Sequence, residues 1–433
     1  MASLSNHVRP EVMLCPMAQA SDLTLLAESL RTLLPAKALD FDPGAEYAVD
    51  GLTPVMAARP TSQAEVAVVL KAASEAGAAV VPRGGGTLMA LGMPPQRYDV
   101  ALDLRDLDRL VEYEPADLTV TVEAGMTLDR LASTLRERGQ MLPLGTYRDA
   151  RTTVGGVLAT NLHSPGFRLM YGAARDLCIG MTVALSSGEI VKSGGRVVKN
   201  VAGYDMGKLH IGALGTLGVI LQASFKVVPE PAASGGGIVR GEREGLERTL
   251  RSLLEARLAL RSASLTREAS EDVWRLSAGF AGSEAAVERS RREFRAIAGD
   301  SEEDGALEAV SKAYAAVQND LVCLRATVPV AQAGAMAQAL ADAGASVVSE
   351  PTLGSAHGSW AEAEAIGETT IAALRRRAEA AGGALVIERA PVELKRAAGV
   401  WGEPRGDFAL MRRLKEQFDA TATLNPGRYV GGI

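Results

Sequence analysis

The stretch Thr153-Val154-Gly155-Gly156, running on through Ala159 and Thr160 to Asn161, constrains this chain more than any other. It joins a hydroxyl, a β-branched residue and two adjacent glycines to a run of small, partly polar residues. Adjacent glycines let main chain pass close to a bulky neighbour with no Cβ in the way, and they permit positive φ. Such a segment serves as a wall on which a large flat or anionic ligand lies against the backbone itself. It serves equally as a plain turn ahead of a core strand. The company it keeps decides between the two.

That company begins at Pro82-Arg83-Gly84-Gly85-Gly86-Thr87. Upstream, Ser62-Gln63-Ala64-Glu65 has the form of a capping box and opens a predicted helix to about Ala76. Short strands at 54–58 and 78–81 flank it, so a β-α-β unit is expected, with a glycine-rich loop leaving its second strand. Three consecutive glycines after a strand expose a row of backbone N–H groups, which can cradle a phosphate or pyrophosphate; the bland alternative is a flexible turn. The loop is not a nicotinamide fingerprint, because Met89 stands where G-x-G-x-x-G needs its third glycine. Nor is there a G-x-x-x-x-G-K-[ST] P-loop anywhere in the chain.

At 433 residues the chain has room for two or three domains. Residues 1–45 read as an extension with one amphipathic helix at 21–34, closed by Pro35. Strands are expected near 100–104, 118–122, 181–185 and 189–191, the last two joined by Ser186-Ser187-Gly188. A helix is expected at 128–138. Gly212-Ala213-Leu214-Gly215-Thr216-Leu217-Gly218-Val219-Ile220 leads into a strand ending near 228. Pro229-Glu230-Pro231 and Ser234-Gly235-Gly236-Gly237 mark a boundary by composition. Beyond it, helices at 243–256, 284–297, 361–381 and 408–418 alternate with strands at 321–328, 346–350 and 385–389, an α+β pattern, with 301–305 as an exposed loop.

Net charge is −6, which gives no support to nucleic-acid binding. No apolar run reaches the ~18 residues of a spanning helix, and no leader peptide is visible. Cys15, Cys178 and Cys323 lie far apart, and His7, His163, His210 and His357 show no paired spacing. A zinc or iron–sulfur site within this chain is therefore not expected.

Four separated segments, PRGGGT at 82–87, TVGG at 153–156, GxxGTLGVI at 212–220 and LNPGR at 424–428, together resemble the vanillyl-alcohol-oxidase (PCMH-type) FAD-binding flavoproteins. Leu91-Gly92-Met93-Pro94-Pro95, residues 111–120 and Val197-Val198-Lys199-Asn200-Val201-Ala202-Gly203-Tyr204-Asp205 sharpen this to the FAD-binding subunit of glycolate dehydrogenase (glycolate oxidase). The resemblance is dense over about 47–231 and returns in the last thirty or so residues.

It implies an α+β fold: an N-terminal helical extension (1–45), a two-subdomain FAD-binding domain (46–231), an α+β cap (238–400) and a C-terminal segment (401–433) packing back on the FAD domain. It implies FAD held by Arg83, Gly84, Gly85, Gly86 and Thr87 at the pyrophosphate. Thr153, Gly155, Gly156, Ala159 and Thr160 would run along flavin and pyrophosphate. Gly218, Val219 and Ile220 would lie at the adenine end, with Pro143 and Leu144 counted among the cofactor contacts. Thr87 stands where some relatives attach flavin through histidine, so FAD is expected to be non-covalent.

The chain departs from the family at Gly145, at Ala213, and at 161–168, where one extra residue precedes Arg168. His163 reads as a base, a covalent anchor or a hydrogen-bonding structural residue. Arg168, Arg389, Arg405 and Arg428 read as carboxylate clamps or as surface charges. Trp401 reads as core or as a flavin lid. Competent relatives carry a paired-histidine metal motif in the cap; here there is only His357, and the resemblance assigns no catalytic residue. The implied function is the flavin subunit of a multi-subunit 2-hydroxy-acid dehydrogenase, an oxidoreductase acting on CH–OH beside a homologous flavin subunit and an iron–sulfur subunit. Two alternatives stay open: a stand-alone FAD-dependent oxidase or dehydrogenase, and a non-catalytic assembly subunit stabilised by FAD. The expected place is the cytoplasm, with the inner face of a membrane reached only through partners.

Overall fold

The computed structural model describes residues 20–144, 149–162, 166–195, 205–303 and 305–433. Ser62 caps the helix Gln63–Glu75 as its sequence demands: its hydroxyl accepts the Glu65 N–H at 3.2 Å. The Glu65 carboxylate reaches back one residue further than in a capping box, to the Thr61 N–H at 2.6 Å. The helix buries Val66, Val69, Leu70 and Ala73 in a cluster shared with Leu26 and Leu30 of the helix Ala20–Leu33. The strands Met56–Ala58 and Val80–Arg83 are parallel but do not pair. Val100–Asp103 inserts between them and is parallel to both, while Leu39–Asp40 adds antiparallel at the edge.

A second sheet is antiparallel throughout, in the order Leu110–Glu114, Thr119–Glu123, Val219–Lys226, Cys178–Ala184, Ile190–Gly194. The helices Leu128–Arg136 and Val154–Thr160 press Leu131, Leu135, Val157 and Leu158 against Val120, Val122 and Phe225. The glycine-pair stretch is therefore the start of a short helix rather than a turn before a strand.

The third sheet has eight antiparallel strands. Period-two alternation gives it two unlike faces. Ala263, Leu265, Leu324, Ala356, Leu385 and Ile387 point to an aliphatic layer under the helices Arg243–Glu255, Glu284–Ala298, Ala333–Asp342 and Glu368–Ala380. Their strand neighbours Ser262, Ser264, Cys323, Arg325, His357, Ser359 and Glu388 form the other face, which the helix Ala306–Asn319 partly covers. The glycines at 235–237 lie inside the strand Ala233–Gly241, the first of this sheet in chain order. A Cβ on Gly236 would fall 2.6 Å from the Ala306 Cβ, and one on Gly237 would fall 2.3 Å from the Phe294 ring, so helices on both faces close down on bare backbone.

The tail returns to the first sheet. Val80 N–H donates to Thr423 O at 2.7 Å and Asn425 N–H to Val80 O at 2.9 Å, so Leu424 extends that sheet in parallel. Buried Lys415 ties the tail to the loop before Val219: its ammonium donates to Thr216 O at 2.8 Å, Leu424 O at 2.9 Å and the Asp419 carboxylate at 2.6 Å. Among the described residues no helix is long and apolar enough to cross a membrane.

Candidate functional site

The loop that follows Val80–Arg83 forms one side of a cleft with about 510 Å³ of empty space. Arg83, Gly84, Gly85, Gly86 and Thr87 line it together with Thr153, Gly156, Ala159 and Thr160, and Leu214, Asn425 and Arg428 close it. Two of the sequence-predicted segments thus meet at one place. Gly155 does not line the cleft: its N–H bonds Ala124 O at 2.8 Å, and a Cβ there would sit 2.8 Å from Ala124 Cβ. Pro143 and Leu144 are buried, Leu144 within the core of the second sheet. Val219 and Ile220 lie in that sheet, paired with Ala184 and Val183, and Gly218 directly precedes their strand. His163, Gly145, Lys199 and Tyr204 lie outside the described residues.

Hydrogen bonding shows which wall can take an anion. The first turn of the Val154–Thr160 helix has its donors engaged: Val154 N–H bonds Met126 O, Gly155 N–H bonds Ala124 O, and Gly156 N–H bonds the Thr153 hydroxyl at 3.3 Å. The N–H groups of Gly84, Gly85, Gly86 and Thr87 donate to none of the described residues. A row of amides without described partners is what a diphosphate needs, so the loop, and not the helix, has donors to offer an anion.

The glycines are required by the fit of these two walls. A Cβ on Gly84 would lie 2.1 Å from Thr153 Oγ1, and one on Gly85 would lie 1.8 Å from Arg151 O. Gly86 has φ +75°, over the Arg83 guanidinium. Arg83 itself points away beneath the loop, donating to Glu46 O at 2.6 Å with its guanidinium 4.6 Å from the centre of the Tyr47 ring. Its charge, with that of Arg428, faces no lining carboxylate among the described residues. The glycine cradle, the free amides, the positive charge and a buried Asn425 Oδ1 with no partner all fit a dinucleotide such as FAD.

Arg428 is not a surface residue. It is almost wholly buried, it donates to Met89 O and Leu91 O, both at 2.6 Å, and burial pushes its pKa down to about 10. Trp401 donates to Arg428 O at 3.0 Å and packs on Tyr429. Arg405 bonds Gly383 O, and Arg389 ends a cap strand opposite Cys323.

The cap's polar face holds a group that sequence reasoning missed. Arg325 and His357 are register partners on neighbouring strands, and Glu388 lies on the strand beyond. Arg325 Nε donates to Glu388 Oε1 at 2.7 Å, Gln318 Nε2 donates to Oε2 at 3.1 Å, and His357 Nε2 lies 3.7 Å from that same oxygen. Burial pushes the Glu388 carboxyl up, but the His357 and Arg325 charges outweigh it and hold it well below the usual range. The terminal nitrogens of Arg325 bond none of the described residues. Burial raises the Tyr429 phenol, and the Arg325 charge opposes it. Tyr314 stands edge-on to His357 at 5.2 Å and donates to buried Glu350 at 3.2 Å. The segment after the Thr153 helix reaches the same face: Phe167 lies under the Arg261 guanidinium at 5.2 Å, and the Arg168 charge bears on Glu350. No group of three His, Cys, Asp or Glu side chains that could hold a metal occurs among the described residues.

Behind Gly218 sits His210, 4% exposed, edge-on to Phe418 and with Nδ1 unpartnered. Burial lowers its pKa from 6.5 to about 4. Between those values the unfolded chain binds a proton that the folded chain does not, so stability is lost as pH falls from about 6.5 to about 4. The full loss is roughly 3 kcal/mol. Acid unfolding of His210→Phe, which cannot be protonated, is expected to lack that component, as chemical denaturation at stepped pH would show.

A family model described as an FAD binding domain matches residues 54–194. Glycolate oxidase subunit GlcD of Bacillus subtilis (strain 168) is 36% identical over 174 residues, 40% of this chain and 36% of that protein. Glycolate oxidase subunit GlcE of Escherichia coli (strain K12) is 36% identical over 156 residues, 36% of this chain and 44% of that one. A D-2-hydroxyglutarate dehydrogenase of Xanthomonas citri pv. viticola is 34% identical over 182 residues, 42% of this chain and 38% of that protein. The chain thus matches well under half the length of these relatives. Solved structures agree over nearly the whole chain: p-cresol methylhydroxylase with TM-score 0.71 at 15% identity, covering 96% of this chain and 98% of that one. A 4-ethylphenol oxidase from Gulosibacter chungangensis gives 0.72 at 14%, covering 97% and 99%. Residues 54–194 thus match an FAD binding domain family, and the chain has the fold of p-cresol methylhydroxylase.

Proposed function

We infer that the chain is the FAD-binding flavoprotein subunit of a multi-subunit dehydrogenase of glycolate or a similar small 2-hydroxy acid, passing electrons toward an iron–sulfur partner. The observation that carries it is the row of amides at 84–87, bonded to none of the described residues, in a cleft closed by Asn425 and Arg428 of the tail. When bound, FAD supplies a two-electron acceptor for oxidation of a CH–OH group. Gly84, Gly85, Gly86 and Thr87 offer amides to its diphosphate, and Arg83 and Arg428 give the site positive charge. Arg325, held through Nε by Glu388, keeps its terminal nitrogens in place for a substrate carboxylate. Buried His357 has an unpartnered Nδ1 on that face.

Two relatives named as glycolate oxidase subunits support a shared task. So does cysteine usage: three widely separated cysteines do not make a four-cysteine cluster site, which is in keeping with an iron–sulfur centre on another chain. The Arg325–Glu388 pair favours a second reading, a stand-alone FAD-dependent dehydrogenase with its own substrate site. Anaerobic titration of the FAD-loaded chain with glycolate or D-lactate separates them through loss of the visible flavin band. Bleaching only after the partner subunits are added supports the subunit reading. Rapid bleaching of the chain alone supports the second, and no bleaching under either condition removes both.

A further inference from the structure

Asn425 sits where three segments converge. Its N–H bonds Val80 O at 2.9 Å at the root of the glycine loop, and its Nδ2 donates to Leu214 O at 2.5 Å in the loop before Val219. Its own carbonyl accepts from Arg428 N–H at 3.2 Å within the tail. The Leu214 bond settles the orientation of the side-chain amide, because a flipped amide would set oxygen against oxygen. Oδ1 is thereby aimed away from Leu214. It is buried with no partner, on a residue 3% exposed that lines the cleft. Asn425 also holds φ +47°, a left-handed conformation that asparagine tolerates better than most residues. A strained backbone and an unsatisfied buried acceptor on a residue that lines a cavity mark a ligand position more than a packing position.

We propose that Asn425 is a cofactor-binding residue, its Oδ1 accepting a hydrogen bond from a hydroxyl or amino group of FAD, so that the C-terminal segment forms a third wall of the dinucleotide site beside 82–87 and 153–160. The inference rests on the cleft being the FAD site. It makes the tail part of the binding reaction: FAD gains a contact only when Asn425 is docked between Val80 and Leu214.

Asn425→Gly tests this, since glycine adopts the left-handed backbone without strain and removes both amide atoms. The expected result is FAD binding weakened about tenfold by fluorescence titration, from loss of a hydrogen bond to a buried acceptor. The apo-protein should melt lower, because Leu214 O loses its donor, and the rise in melting temperature on adding FAD should shrink as well. An FAD affinity equal to wild type overturns the proposal, whether or not the apo-protein melts lower, because the residue would then only hold the tail. Wild-type protein that binds no FAD would instead remove the reading of the cleft.

Discussion

Gly85→Ala should yield protein that no longer retains FAD. The added Cβ would lie 1.8 Å from Arg151 O and 2.6 Å from the carbonyl carbon. This is backbone against backbone, and no rotamer relieves it. Nor can the Arg151–Thr153 strip retreat freely. Thr152 O accepts from Leu128 N–H at 3.0 Å, Thr152 N–H bonds Asp149 O at 2.9 Å, and Thr153 caps the next helix. The loop must therefore lift by more than an ångström, which spoils the row of amides and opens the cleft. Overpacking of this kind costs about 1–3 kcal/mol in stability, but the loss of FAD should exceed what stability alone predicts. Two companions calibrate it. Gly86→Ala meets only the far end of the Arg83 side chain, at 2.4 Å, and adds strain at φ +75°, so an intermediate loss is expected. Gly139→Ala has φ +63° with nothing within 4 Å and should destabilise by ~1 kcal/mol while retaining FAD. Flavin-to-protein ratios of the purified variants would show it; a Gly85→Ala protein as yellow as wild type would refute the interlocking of the two walls.

That interlocking also explains what could be read from the residues in advance. Glycine runs constrain backbone locally, so PRGGGT and TVGG were legible as parts of one site. Their mutual purpose was not, because Gly84 and Gly85 answer to Thr153 and Arg151 some seventy residues away. At 235–237 composition marks a boundary but not why glycine is needed there, which is that two helices pack on opposite faces of the strand. Arg428 reads in the sequence as a carboxylate clamp or a surface charge. Only the converging carbonyls of Met89 and Leu91 make its burial tolerable. The Arg325–His357–Glu388 group depends on strand register across a sheet whose neighbours are far apart in the chain. A partial signal did exist: in the predicted strand 321–328, Cys323 and Arg325 alternate with Val322, Leu324 and Ala326, which marks a polar face worth a partner.

Breaking the ion pair between Lys395 and Asp50 should cost more than any surface change in this chain. Lys395, on the helix Val392–Ala398, is wholly buried, and its ammonium donates to both Asp50 oxygens at 2.8 and 2.9 Å and to Ala90 O at 2.6 Å. Those partners lie beside the cleft wall at Met89 and Leu91, so one side chain fastens the cap-side helix to the cofactor side. Burial lowers the Lys395 pKa and the Asp50 charge opposes that shift. Lys395→Met strands a carboxylate that is only 9% exposed, and Asp50→Asn strands an ammonium that is not exposed at all. Each is expected to cost roughly 3–5 kcal/mol, because the remaining charge keeps its desolvation penalty and loses its compensation. The double variant should recover much of the loss, since neither charge is then left buried alone. The pH dependence distinguishes the singles. In Asp50→Asn the unpaired lysine sheds its proton in the folded state while the unfolded chain keeps it up to about pH 10. The unfolded state then binds more protons, so stability of that variant rises as pH rises toward 10, and Lys395→Met shows no such rise. Equal and additive losses in the two singles, with no pH contrast between them, would mean that the pair is not a buried fastening but two independent contacts.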